Sequence, residues 1–317
     1  MFGENSNAVS RYVDMWAVPG IHPSNIHFLQ LLKSADSNQF TRNMDCIGTI
    51  SERDPEAGSW DKTHLVGIRT DVWKPDAKEL KRTLKALQKQ RRGDLKQQIK
   101  RSGQLSAKQR ERLDAKIEDC DIMHLSADDL ISRRLVLKLF KTTGSRVRWV
   151  GTLEQTTISE VHNSIGSNRS LISAAVMLPR KQSVTRIQQN HRTFRVPSVF
   201  SGAFYDQEQM WALILKRRWV SWGPHFDIYA NGQKLGEIDS HVFCLGSDCT
   251  LNLKTHELSQ DVRLVDTLTL FAASIGYHKA MWRSIRRRVS ATNSGEAYRH
   301  LIEDEELRLR HNGRAAA

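Results

Sequence analysis

Hydrophobic positions fall into two textures along the chain. Between residues 134 and 253 they come in short runs: 135–140, 146–153, 171–178, 183–188, 193–199, 211–220, 226–230, 234–238, 242–245 and 249–253. Turn residues separate them, at Thr143-Gly144, Asn163-Ser164, Gly166-Ser167-Asn168 and Ser201-Gly202. Many short strands at this spacing predict a β-sandwich or barrel. The second texture is the stretch 267–277, which carries no charge anywhere around a helical wheel. A helix apolar on every side is buried on every side or lies in a membrane. Arg263 and Asp266 before it and Lys279 and Arg283 after it leave the run shorter than the roughly 20 residues that spanning needs. A shell must therefore surround it, and the preceding strands can supply one. The expected architecture is α+β, a closed antiparallel β-barrel enclosing a C-terminal hydrophobic helix with Leu268, Phe271 and Ile275 at its core.

Small residues on that helix, Ala272, Ala273, Ser274 and Gly276, fit a lumen with little room beside it. Arg283 and the run Arg286-Arg287-Arg288 would emerge at the helix C-terminus, where cations suit the dipole. Asn231-Gly232 is a type I′ hairpin signal. A two-residue loop there puts Ile228 and Leu235 on one face and leaves Ile238 on the other, so a bulge near Gly236 is expected to restore the register.

Four segments follow: a mixed N-terminal region 1–75, a basic helical hairpin 76–132, the barrel 133–289 and a polar tail 290–317. In the first, 46–51 and 64–72 read as strands, and sequence leaves open whether they join the barrel. Pro23 opens a short helix with Ile26, Leu29 and Leu32. In the second, Leu80, Leu84, Leu87, Leu95 and Ile99 mark one helix, Gly103 stops it, and Ser106 with Gln109 caps another. Ser126 caps a short third helix, with Asp128 and Asp129 in its first turn.

Charge alters this picture. The formal net charge is +13 over 317 residues, which makes a polyanionic partner a live reading beside that of a solubilising surface. Lys89, Arg91, Arg92, Lys96, Lys100 and Arg101 on the hairpin would form a polyanion-binding arm or a solvated face; no aromatic residue is interleaved for base stacking. Four cysteines and a polar opening without an apolar signal core read as reduced thiols in a cytoplasmic protein, peripheral at a membrane if anionic lipid is the partner.

The order 226–229, Asn231-Gly232, 234–238, 249–253 and 266–275 resembles the end of the LURP-one-related, tubby C-terminal and phospholipid-scramblase superfamily. That resemblance implies a closed barrel skewered by its C-terminal helix. Tubby domains bind phosphoinositide headgroups through basic residues on the barrel exterior, and scramblase relatives associate with membranes. No headgroup motif matches residue by residue. The chain also departs from the pattern in running past the helix and in carrying the basic hairpin.

Catalytic signatures are missing: there is no Walker A loop, HExxH, GxSxG or paired CxxC. Cys244 and Cys249 near His241 and His256 have poor spacing for zinc, and Cys249 alternates with Leu251 and Leu253 as a buried thiol does. No cofactor or metal is expected. The candidate site is Lys216, Arg217, Arg218 and Trp219 with Trp222, where arginine offers phosphate geometry and indole favours an interface. Arg146 and Arg148, two apart on a strand, would extend it. The functional expectation is a binding protein for anionic headgroups or a membrane surface, or alternatively a nucleic-acid accessory protein using the hairpin.

Overall fold

The structure is a computed structural model that describes residues 7–16, 44–54, 56–73, 93, 96–97, 100, 111, 134–144, 146–167, 169–179, 184–191, 198–206, 209–219, 223–240 and 247–293. Twelve strands make a closed barrel: β1 (Asn7–Met15), β2 (Met44–Arg53), β3 (Trp60–Arg69), β4 (Val136–Thr143), β5 (Arg146–Gln155), β6 (Ser173–Met177), β7 (Thr185–Gln189), β8 (Val199–Asp206), β9 (Gln209–Arg217), β10 (Phe226–Ala230), β11 (Gln233–Ser240) and β12 (Cys249–Lys254). Every strand pairs antiparallel with its neighbour in sequence, and β1 closes the ring against β12. The α-helices whose bounds lie among the described residues are α1 (Thr70–Trp73), α2 (Thr157–Ser164), α3 (Val262–Ser274) and α4 (His278–Asn293), with short 3₁₀ turns at Glu257–Gln260 and Ile275–Tyr277.

Small eight-stranded barrels fill with side chains, and wider ones need other contents. Here the content is α3, buried at every residue from Leu264 to Ser274. Its apolar side chains merge with the inward positions of the wall into one core; Leu268, Phe271 and Ile275 all belong to it. Phe271 meets Phe200 and Phe226 edge-on at centroid distances of 5.1 and 5.5 Å. The hydroxyls of α3 are satisfied locally: Thr267 and Thr269 donate to the carbonyls of Arg263 and Val265, and Ser274 to that of Phe271. Asp261 caps the helix by accepting from the Arg263 amide. A buried ion pair joins the wall to the helix inside the lumen. Asp266 is buried and takes a hydrogen bond of 2.7 Å from Arg11 on β1, whose guanidinium also reaches Thr269 and Glu52.

Several expectations need correction. The barrel begins with β1, not near residue 133, so the strands of the N-terminal region are part of its wall. An alternation of Arg11, Val13 and Met15 inward against Tyr12 and Asp14 hides that strand from a hydropathy reading. Ser201 and Gly202, read as a turn, lie within β8; Gly202 is needed there because a Cβ would sit 2.5 Å from the Arg186 carbonyl oxygen of β7. Asn163 and Ser164 end α2. Gly276 is exposed beyond the lumen, in the short 3₁₀ turn Ile275–Tyr277. The arginine run does not cap the central helix but belongs to α4, which continues past that turn. The hairpin at Asn231-Gly232 forms with positive φ at both residues, 47° and 85°. Its bulge falls between Ile228 and Tyr229, leaving Leu235 as the extra residue before Gly236, and Phe226 faces Ile238 with both buried. The helices expected at 23–32, across 76–132 and in the tail fall almost wholly outside the described residues.

Candidate binding surface

Strand β9 alternates cleanly. Leu213 and Leu215 point into the core, while Met210, Ala212, Ile214 and Lys216 face outward. On β8, Tyr205 stands opposite Met210, Ala203 opposite Ala212 and Ser201 opposite Ile214. On β10, Tyr229 pairs with Ile214 and Asp227 with Lys216. The outer wall over these three strands is therefore largely apolar. Met210 is 55% exposed, Tyr205 48% and Ile214 36%. Just past the end of β9, Trp219 is 74% exposed. Solvated aromatic and aliphatic side chains grouped this way mark interaction surfaces more often than single exposed residues do.

The predicted cations here divide by role. Lys216 is exposed on the apolar stripe, and among the described residues no carboxylate lies within ion-pair distance of it. Arg218 is already engaged: its guanidinium pairs with Asp227 at 2.9 Å and Glu237 at 2.5 Å, and Lys234 closes the square onto both carboxylates. The hydrogen bond that the guanidinium donates to the Asp227 carboxylate pushes the Arg218 pKa up. Partial burial works to raise the Asp227 carboxyl, but hydrogen bonds from Arg218 and Lys234 overcome it and hold it below the usual range. That cluster ties β9, β10 and β11 together. Arg217 lies half-buried near the start of α4, where its charge adds to burial in depressing the pKa of His278 to about 3.

Arg146 and Arg148 are exposed on one side of β5. They do not extend the patch, because β6, β7 and β8 stand between β5 and β9 and Arg146 sits at the opposite end of the barrel from Lys216. Lys96 and Lys100 are helical and exposed; Trp222, Lys89, Arg91, Arg92 and Arg101 lie outside the described residues. Met210, Ile214 and Tyr205 escaped the sequence reading. The signal was a β9 run apolar on both faces, which suits a strand buried on both sides as well as one left bare.

Elsewhere the barrel carries structural chemistry. Glu160 on α2 is fully buried; it accepts from Gln155 at 2.7 Å, from the Ser173 amide, and from Arg288 of α4 at 3.1 Å. Arg134 and Glu154 form a second buried pair at 2.6 Å. Cys249 is buried with its thiol pushed up to about 12 by desolvation, as its alternation implied. Among the described residues no group of three His, Cys, Asp or Glu side chains could hold a metal ion, and no helix is long and apolar enough to cross a membrane.

The class defined so far is an up-and-down barrel closed around a helix, with an apolar, cation-edged stripe on one outer wall. Compared with known proteins, the chain matches no family model, no curated protein and no solved structure.

Proposed function

We propose that the chain is a binding protein of the tubby and LURP-one kind that seats the outer wall of β8, β9 and β10 on an anionic phospholipid surface. The exposure of Met210, Ile214 and Tyr205 on the outer wall that also bears Lys216, with Trp219 exposed just past the end of β9, carries this reading. Indole and aliphatic side chains gain by leaving water for the interfacial region, and lysine is drawn to the negative leaflet. Agreement of the fold with the one the family resemblance implies supports it, although fold alone assigns no ligand.

Co-sedimentation with vesicles tests the reading. Binding is expected to vesicles of phosphatidylcholine with about one third phosphatidylserine and not to phosphatidylcholine alone. Trp219→Ala removes most of the apolar contact of one large side chain, on the order of 1.5–3 kcal/mol, and so weakens binding about tenfold or more. Equal binding to both vesicle types, or a Trp219→Ala variant that binds like the wild type, refutes it.

A further inference from the structure

Helix α4 reads His-Lys-Ala-Met-Trp-Arg-Ser-Ile-Arg-Arg-Arg-Val-Ser-Ala-Thr-Asn and holds five cations and no carboxylate. Its two faces are sharply divided. Met281 and Ile285 are buried in the barrel core, with Trp282 and Val289 packed against it. His278 lies among Phe200, Phe271 and Trp282. Trp282 donates to Gln189 of β7 at 3.0 Å, and Arg288 is buried on Glu160. The other face shows Lys279, Arg283, Arg286, Arg287 and Ser290 to solvent. Their spacing of 4, 3, 1 and 3 residues places them on one side of the helix. Among the described residues none of these four cations has an ion-pair partner.

From this we infer that the outward face of α4 is a docking surface for the phosphate backbone of duplex nucleic acid. The helix keeps like charges at i,i+4 (Lys279 with Arg283, Arg283 with Arg287), an arrangement that costs a few tenths of a kcal/mol per pair and that interspersed acids would relieve. Lys279 also stands in the first turn, where the helix dipole disfavours a cation. Among the described residues no carboxylate pairs with these cations to compensate the costs, and a polyanion does. Lipid is the poorer fit for this face. A helix that lies in a membrane interface inserts its apolar side, and α4 has committed that side to the barrel. What remains is cationic and three-quarters arginine, whose fork matches phosphate oxygens. From Lys279 to Arg287 the axis rises about 12 Å. Duplex carries a charge about every 1.7 Å, so roughly seven phosphates pass that length, more than enough partners for four cations.

Fluorescence anisotropy of a labelled mixed-sequence duplex between 50 and 200 mM salt tests this on the full chain. Four phosphate contacts give a log–log slope of about −3.6, a loss of about 150-fold in affinity over that range. The exposed variant Arg283→Gln/Arg286→Gln/Arg287→Gln should shrink the slope by about 2.7, and Arg283→Gln or Lys279→Gln alone by about 0.9. The single variants decide the matter if the triple one does not fold. Trp219→Ala should leave the slope unchanged, which separates this surface from the outer wall of β9. An unchanged slope in the glutamine variants overturns the proposal. So does failure of the wild type to bind duplex, or binding only to anionic vesicles or to an acidic protein.

Discussion

Arg11→Met isolates what fixes α3 inside the barrel. Arg11 is 3% exposed and spans from the wall to the buried stretch of the central helix, whereas the helix's own Arg263 reaches Asp206 of β8 at its partly exposed first turn. Its Nη1 donates to Asp266 at 2.7 Å and to Thr269 at 3.0 Å, and its Nε and Nη2 hold Glu52 at 2.8 and 2.6 Å. Methionine keeps the stem and removes the guanidinium. Glu52 remains partly solvated, and Thr269 still donates to the Val265 carbonyl, so the loss concentrates on Asp266. Removing one partner of a buried pair costs about 3–5 kcal/mol because the other charge stays behind unpaired. Burial already raises the Asp266 pKa against the pull of Arg11, so the variant escapes part of this cost by binding a proton. A carboxyl whose folded pKa is raised contributes most below its unfolded value of 3.8 and loses that contribution as pH rises. The deficit of Arg11→Met relative to wild type is therefore largest at neutral pH and shrinks on acidification. Replacing both charges, Arg11→Met/Asp266→Leu, should recover most of the loss, since an apolar pair avoids two desolvations. Guanidinium denaturation followed by near-UV circular dichroism measures all three proteins. A deficit under about 1 kcal/mol for Arg11→Met, or a double variant no better than the single one, refutes the argument.

Two further outcomes concern pH and packing. Burial, helped by Arg11 and Lys141, depresses the pKa of His64 to about 2, and burial with Arg217 takes His278 to about 3. Both rings stay neutral in the fold while the unfolded chain protonates them, so stability is full above pH 6.5 and falls as pH drops towards those values. The slope is about 1.4 kcal/mol per pH unit per ring, roughly 4 kcal/mol in all by pH 5. Thermal melts of wild type and His278→Gln from pH 7.5 to 5 check it, the variant losing about half of the dependence. Gly236→Ala should lower stability by about 1–3 kcal/mol, because its Cβ would overlap the Asn252 carbonyl and lie 2.9 Å from Leu253 Cα on β12. A melt within a degree of wild type contradicts that packing.

The central helix was legible because 267–277 offers no polar side to water, which leaves a shell as the soluble solution. Strands of the second half were legible because turn residues bound them. Strand β1 was not, since a buried arginine occupies an inward position where an apolar residue was expected, and its reason, Asp266, lies 255 residues away. Long-range ion pairs leave no local periodicity. The candidate surface was half legible. Lys216, Arg217, Arg218 and Trp219 stand out as a sequence run, yet strand alternation and pairing give them different duties, with Arg218 locked in a salt-bridge square and Lys216 facing solvent. Arg146 and Arg148 show the converse limit: chemistry can be matched in a sequence, but adjacency around a barrel depends on strand order.

That order also decides where a ligand can bind. A barrel this wide that was open inside would offer its lumen, as ligand-holding barrels do. Here α3 occupies that space from Leu264 to Ser274, with Phe271 wedged between Phe200 and Phe226. The ligands proposed above are therefore sought on the outer wall and at the end where α4 lies, not in the lumen. The consequence is a separation between two sets of residues. Arg11, Asp266, Glu160 and Arg288 hold the architecture and are buried. Met210, Ile214, Lys216 and Trp219 on one surface, and Lys279, Arg283, Arg286 and Arg287 on another, are exposed and contribute little to the core. Substitutions in the exposed sets should change binding at nearly constant stability, and distant sites of this kind add independently. A protein whose binding and stability changed together across both exposed sets would place its ligand inside the barrel instead.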